Sequence, residues 1–180
     1  MLYLFMQPIK PQDIIVILKV LSVGRKGWKF ETLQEELGLS VSAIYRSLER
    51  CVKARFISPK PFNDIYVLNL TEFLVHGIAY AFAVEPGKIT RGIPTGHSAA
   101  PLNKEIVSDK DVYVWPYSKG RSRGQGIEPL EKHVPEIAQK DHGLYEMLAL
   151  IDGIRVGKNR EKKIAADLLT DKLQDYAIKY

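Results

Sequence analysis

At 180 residues, with 46% hydrophobic and 26% charged residues, the chain is long enough to bury a core without disulfides or metal, and its composition excludes a disordered or fibrous protein. The single cysteine excludes an intramolecular disulfide and points to a reducing, cytoplasmic compartment. The opening "MLYLFMQPIK" is apolar over too few residues for an export signal, and no apolar run approaches the roughly 20 residues of a membrane span. The net charge of +5 is concentrated at one end, because residues 1–70 carry 10 Lys+Arg against 6 Asp+Glu while residues 71–180 carry 16 against 15. That imbalance favours a polyanionic partner for the N-terminal part.

In chain order, "QDIIVILKVLSVG" after Pro11 places Ile14, Ile17, Leu18 and Leu21 at helical spacing, and Gly24 closes it. "RKGWKFETLQEELG" predicts a short strand at Trp28 and Phe30, then a helix with Leu33 and Leu37 one turn apart, ended by Gly38. In "LSVSAIYRSLERCVKARFI", Ser40 suits an N-cap and Leu39 can staple onto Ile44; the inward face is Val41, Ile44, Leu48 and Val52. "RFISPKPFNDIYVLNL" reads as a hairpin of two strands, Phe56–Ser58 and Ile65–Leu70, around Pro59, Lys60, Pro61, Asn63 and Asp64. Asn69 or Thr71 can then cap a linking helix to about Phe82, with Phe73, Leu74, Ile78 and Phe82 on its apolar sides. From Val84 to Pro129 helical periodicity vanishes, and only "DVYVW" has a convincing strand composition, so one or two short strands are expected. Two amphipathic helices end the chain. Leu144, Met147, Leu148, Ile151 and Ile154 share a face of the first, and Ile164, Leu168 and Leu169 share a face of the second.

The order helix, short strand, helix, tight turn, helix, hairpin is that of a winged helix-turn-helix. Gly38 can take the positive φ of a sharp turn, and Leu33, Leu37, Val41, Ile44 and Leu48 lock the two helices together. The exposed face of the third helix then carries Ser42, Ala43, Tyr45, Arg46, Glu49 and Arg50. A helix set in the major groove reads base edges with its N-terminal residues, where Arg can grip guanine and Ser can bond base or phosphate. Ser40, Ser42, Tyr45, Arg46 and Arg50 are the candidate recognition-helix residues, and Lys53, Lys60 and Asn63 the flank and wing contacts to phosphate. The expected fold is α+β, mainly α. Residues 1–70 form a winged helix-turn-helix DNA-binding domain, 71–83 a linking helix, and 84–180 a mixed module for dimerisation or partner binding, with short strands and two terminal amphipathic helices.

"WKFETLQEELGLSVSAIYRSLERCVKARFI" resembles the DNA-binding half of bacterial winged-helix regulators of the MarR-like type. The later blocks "FLVHGIAYAFAVEPGKITRGIPTGHSAAPL", "VYVWPYSKGRSRGQGIEPL" and "LYEMLALIDGIRVGKNREKKIAADLL" are similar to a narrower group, the antitoxin or regulator partners of nucleotidyltransferase toxins in abortive-infection-type operons. The resemblance implies a non-enzymatic, autoregulating repressor of a palindromic double-stranded operator, with a cognate nucleotidyltransferase-type toxin as a further partner. The alternative is a protein-binding antitoxin or adaptor whose winged helix ignores DNA. Lys29 departs from the pattern, standing where a Ser or Thr cap would open helix two.

A palindromic site matches a homodimer, for which residues 143–156 and 160–176 are the apparent supply of interface. No cofactor is implied, and His76, His97, His133 and His142 lack metal-ligand spacing. "SKGRSRGQG", with Lys119, Arg121 and Arg123, is not a phosphate-binding loop motif; it reads as a basic hairpin tip or a supplementary DNA contact. Gly96-His97-Ser98-Ala99-Ala100 approximates the turn that presents a hydrolase nucleophile, and Ser98 with Asp109 or Asp111 and His133 would fill a triad in order. Pro94, Pro101 and the missing final glycine count against it, and the expected role of the segment is to connect the two parts.

Overall fold

In a computed structural model, which describes residues 8–24, 27–106 and 111–179, the chain is mainly helical with one small sheet. The apolar opening stretch 1–7 and Asp109 lie outside the described residues. Among the described residues, no helix is long and apolar enough to cross a membrane.

Helix α1 (Pro11–Val23) is apolar nearly all round, with Ile14 to Leu18, Val20 and Leu21 buried, and so forms the centre of the molecule rather than one of its faces. Its only buried acid, Asp13, takes a two-pronged grip from Arg50, at 2.8 Å from Nε and 2.6 Å from Nη2, and also accepts the Lys10 backbone N–H at 2.8 Å. Ser47 joins the cluster, its Oγ receiving Gln12 Nε2 at 2.9 Å and Arg50 Nη2 at 3.2 Å. Helix α2 (Phe30–Leu37) starts directly at Phe30 without a side-chain cap from Lys29. The strand expected at Trp28 and Phe30 does not form; their rings meet edge to face at 5.4 Å instead. Gly38 ends α2 with φ 65 and ψ 24, a left-handed turn that glycine enters without steric cost. Helix α3 (Val41–Lys53) follows, capped by Ser40 Oγ on the Ala43 N–H at 3.2 Å.

The inward face of α3 is rotated from the expected one. Ile44, Ser47, Leu48, Arg50 and Cys51 are buried, whereas Val41 is 40% exposed and Val52 half-buried. The buried Asp13 draws the polar Ser47 and Arg50 inward, a pull that apolar periodicity cannot register. The hairpin is also reduced to a single bridge, Ile57 with Ile65. The second expected strand fails because the Tyr66 carbonyl already accepts the Leu70 N–H at 3.0 Å, which starts helix α4 (Val67–Glu72). A π turn (Phe73–Gly77) and α5 (Ile78–Ala81) continue it, so the linking helix occupies 67–81. Leu70, Leu74 and Ile78 are buried along it, and Phe73 packs on Phe56 and Phe82.

Three short strands replace the one or two expected. β1 (Ile89–Pro94) pairs antiparallel with β2 (Tyr113–Pro116) and with β3 (Ser122–Gly126), and β2 pairs parallel with β3, so the sheet closes on itself. Gly92 stands opposite both Pro116 and Ser122. A ring this tight leaves no room for side chains where backbones cross: a Cβ on Gly92 would overlap the Trp115 carbonyl, and one on Gly124 the Val112 carbonyl. Beyond α6 (Val134–Ala138), α7 (His142–Val156) buries all five apolar residues expected of it, and α8 (Asn159–Lys179) packs on it. The face of α8 is shifted to Ala165, Leu169 and Leu173, with Ile164 and Leu168 half-buried.

Two ionic clusters tie these parts together. Asp152 of α7 accepts from Thr95 Oγ1 at 2.8 Å, Trp115 Nε1 at 2.5 Å and Arg155 Nη1 at 2.7 Å, while Arg155 Nε donates to the Phe82 carbonyl at 2.9 Å. Burial pushes the Asp152 carboxyl above its ordinary pKa, against the opposing pull of Arg155 and the two neutral donors. Lys19 of α1 reaches Asp141 at 2.6 Å and Glu36 at 2.5 Å, and Asp141 also caps α7 by accepting the Leu144 N–H at 3.0 Å.

Removal of the shared cation in Lys19→Met is expected to cost about 2 kcal/mol. Burial alone would lower the Lys19 pKa, but its hydrogen bonds to Asp141 and Glu36 hold it above 10.5. Burial alone would raise the Asp141 pKa, but Lys19 and the Leu144 N–H hold it below 3.8. The Lys19 contribution is therefore complete below 10.5 and lost as pH rises through its elevated folded value, and the Asp141 contribution is complete above 3.8 and lost as pH falls through its depressed one. The gap between wild type and variant, read from urea unfolding, is flat from about pH 5 to about pH 9 and closes at both extremes; a gap that moved inside the plateau would implicate other groups. Gly92→Ala, which drives a methyl into backbone, is expected to destabilise by about 3 kcal/mol or more. Gly38→Ala, which meets open space but keeps a positive φ, costs about 1 kcal/mol on the same denaturation measurement.

Candidate nucleic-acid interface

The solvent side of α3 begins at its cap. Ser40 and Ser42 are exposed, with their hydroxyls 3.2 Å apart. Arg46, Glu49 and Lys53 follow on the exposed side at helical spacing. The fixed cap and the buried Ile44, Leu48 and Cys51 hold this face in register against α1 and α2, so Ser42 and Arg46 project from a rigid support.

Two recesses flank the helix. One, of about 370 Å³, is bordered by Lys10, Gln12, Ala43, Arg46 and Arg50. It brings the start of α1 alongside the outer face of α3, which nothing in the spacing of Lys10 and Gln12 foretells, since their nearness to Arg46 depends on how α1 crosses α3. The other, of about 210 Å³, lies between α3 and the loop 58–64 and is lined by residues including Tyr45, Glu49, Lys53 and Lys60. Phe62 anchors that loop: it is buried, takes a φ of 64, and meets Tyr45 edge to face at 5.8 Å. Lys60 then stands with its ammonium 5.9 Å from the centre of the Tyr45 ring, a cation–π contact that places its charge beside α3. Asn63 is exposed next to it in the loop.

The candidate residues thus divide. Ser40, Ser42, Arg46 and Lys53 share the outer side of one helix, and Lys60 and Asn63 stand on the adjoining loop. Tyr45 is half-buried, its ring committed to a row with Phe30 and Phe62, so only its outer edge faces solvent. Arg50 is a correction. Expected on the exposed face, it is 7% exposed with its Nε and Nη2 engaged by Asp13, and it acts as a structural strut. Cys51 beside it is buried, and burial raises its thiol pKa well above the ordinary value, keeping it protonated and inert.

The other motifs occupy separate places. Arg121 and Arg123 are exposed on or next to β3, and Arg123 lies directly opposite Arg91 in the β1–β3 register. Segment 118–126 is therefore a short turn over 118–121 followed by β3 itself, and β2 and β3 run parallel where a hairpin tip was expected. Ser98 sits in a 3₁₀ turn (Gly96–Ser98) followed by extended backbone at Ala99, not at the head of a helix. Its hydroxyl accepts the Tyr113 N–H at 2.9 Å. The His97 ring packs on Tyr113 at 4.5 Å, bonds the Asp111 carbonyl through Nε2, and holds Nδ1 3.7 Å from Glu161. His133 pairs with Glu131 at 3.1 Å, and no hydrogen bond joins it to Ser98 among the described residues. Among those residues, too, no three His, Cys, Asp or Glu side chains are grouped to hold a metal ion. No protein-family model matches the chain, and no curated protein or solved structure matches it either.

Proposed function

We propose that the chain is a sequence-specific reader of double-stranded DNA, a transcriptional regulator of the winged helix-turn-helix type. The observation that carries this reading is the outer face of α3. A 13-residue helix, entered through the left-handed Gly38 and capped by Ser40, turns Ser42 and Arg46 outward from its N-terminal half. That half of a recognition helix meets base edges, where Arg can take two acceptors of guanine and Ser a base or a phosphate. Lys10, Lys53 and Lys60 flank it on both sides, as contacts to the two phosphate strands require. Glu49 stands in the same recess as Lys53 and Lys60, which soften its repulsion toward phosphate.

The experiment is selection of duplexes from a random pool by the full chain, followed by titrations at several salt concentrations. Arg46→Ala is expected to lose about 1–3 kcal/mol on the selected duplex and to relax the preference at one base position, with thermal stability unchanged. Lys60→Ala is expected to weaken binding to all duplexes and to reduce the salt slope by about 1. Arg50→Ala, by contrast, leaves Asp13 buried and unpaired and is expected to cost about 3–5 kcal/mol of fold stability. An Arg46→Ala protein with wild-type affinity and preference would remove α3 as the reader.

The Arg91–Arg123 pair supports a supplementary phosphate contact. Like charges directly opposite on an antiparallel pair destabilise it, and neither guanidinium has an ion-pair partner among the described residues. Arg123→Glu is therefore expected to stabilise the fold by about 0.5 kcal/mol in urea unfolding while weakening DNA binding without altering sequence preference. Equal affinity for DNA would leave the pair as a solvated surface only.

A further inference from the structure

The linking helix turns Leu68, Glu72, His76 and Tyr80 to solvent at steps of four residues. Leu68 is 79% and Tyr80 86% exposed, while Leu70, Leu74 and Ile78 are buried and fix the helix in place. In an unbroken α-helix each step of four winds about 40° beyond a full turn, so such a series would coil away. The π turn Phe73–Gly77 takes more residues per revolution and cancels part of that drift between Glu72 and His76. The four side chains therefore lie closer to a line, beside a groove of about 220 Å³ that Thr170 and Gln174 of α8 close on the far side.

The series is complementary to itself. A two-fold axis crossing the helix at Leu74 exchanges Leu68 with Tyr80 and Glu72 with His76, because each pair lies equally far on either side. Two copies packed antiparallel on this line would set Leu68 against the partner subunit's Tyr80, and Glu72 against the partner subunit's His76, twice over. Neither Glu72 nor His76 has a side-chain partner within its own chain among the described residues, and an imidazole N–H can donate to a carboxylate. Of the helices expected to supply a dimer contact, α7 is closed to this role: Leu144, Met147, Leu148, Ile151 and Ile154 are all buried in the chain's own core.

We infer that this line of the linking helix is the contact face for a second copy of the chain, forming an isologous, antiparallel helix pair. Its purpose rests on the DNA-reading role, since a two-fold dimer presents two copies of α3 to two half-sites. One helix pair buries little area, which places the contact at the small end of specific interfaces.

The test is sedimentation equilibrium of the full chain over a range of concentrations, with circular dichroism to confirm that each variant is folded. Wild type is expected to reach the mass of a dimer. Leu68→Glu combined with Tyr80→Glu is expected to remain monomeric. Glu72→Lys and His76→Glu should each weaken association at least about tenfold, and the double variant should recover to within a few fold of wild type, because the axis then sets opposite charges together. A wild type that stays monomeric, or a charge exchange that fails to rescue, overturns the inference. DNA titrations separate the two proposals. A monomer that still selects a half-site loses only this interface, and a rescued dimer that selects no duplex loses only the reader role.

Discussion

The two-pronged contact between Asp13 and Arg50 decides what the N-terminal helices can present. Asp13 lies fully buried in the first turn of α1, where an unpaired carboxylate would be costly. Its partner has to come from α3, and the guanidinium fork fixes both the rotation of α3 and its position along α1. That rotation leaves Val41 to solvent, draws Ser47 inward, and sends Ser42, Arg46, Glu49 and Lys53 outward. The outer face of α3 is thus set by an ion pair on its inner one. The same pair divides the basic residues of the helix by role, since Arg50 is held within the fold and Arg46 is free to meet another molecule.

Lys19 extends this rigidity beyond the three N-terminal helices. It stands on the same helix as Asp13, yet its ammonium bridges Glu36 of α2 to Asp141 at the cap of α7. The buried apolar residues of α1, α3, α4, α7 and α8 correspondingly form one continuous cluster. Asp152 and Arg155 do for the C-terminal part what Asp13 and Arg50 do for the other, joining α7 to Thr95, Trp115 and the end of the linking helix. A rotation of α1 would strain both Asp13 and Lys19, so the candidate interface and α7 share one mechanical frame.

Much of this was legible in the residues. Leu33, Leu37, Gly38, Ser40, Ile44 and Leu48 mark the helices around the tight turn because capping and apolar spacing are local properties. The five apolar residues of α7 are legible for the same reason. Arg50 was not: its burial depends on Asp13, 37 positions away, and a charged residue on a helix otherwise reads as exposed. Nor were the strands Ile89–Pro94 and Ser122–Gly126, which contain Gly92, Gly124 and Gly126, residues that propensity assigns to loops. Gly92 and Gly124 are present there because backbones cross too closely for a side chain, a fact of tertiary geometry. The strand expected at Ile65–Leu70 became helix because the Tyr66 carbonyl captured the Leu70 N–H, a choice β-branched composition does not record. Of the candidate site, the outward Ser42 and Arg46 could be read from periodicity, while the recess shared with Lys10 and Gln12 required the crossing of two helices.

The closed ring of β1, β2 and β3 bears on how this protein can meet its neighbours. An open sheet ends in strands whose N–H and C=O groups remain available to recruit another chain, either productively or as the start of an aggregate. Here each strand pairs with both of the others over part of its length, so none of the three stands as an outer strand with one whole side unpaired. Among the described residues the ring therefore offers a partner no whole strand edge to extend, and what it presents to another molecule is its exposed side chains, Arg91 and Arg123 among them.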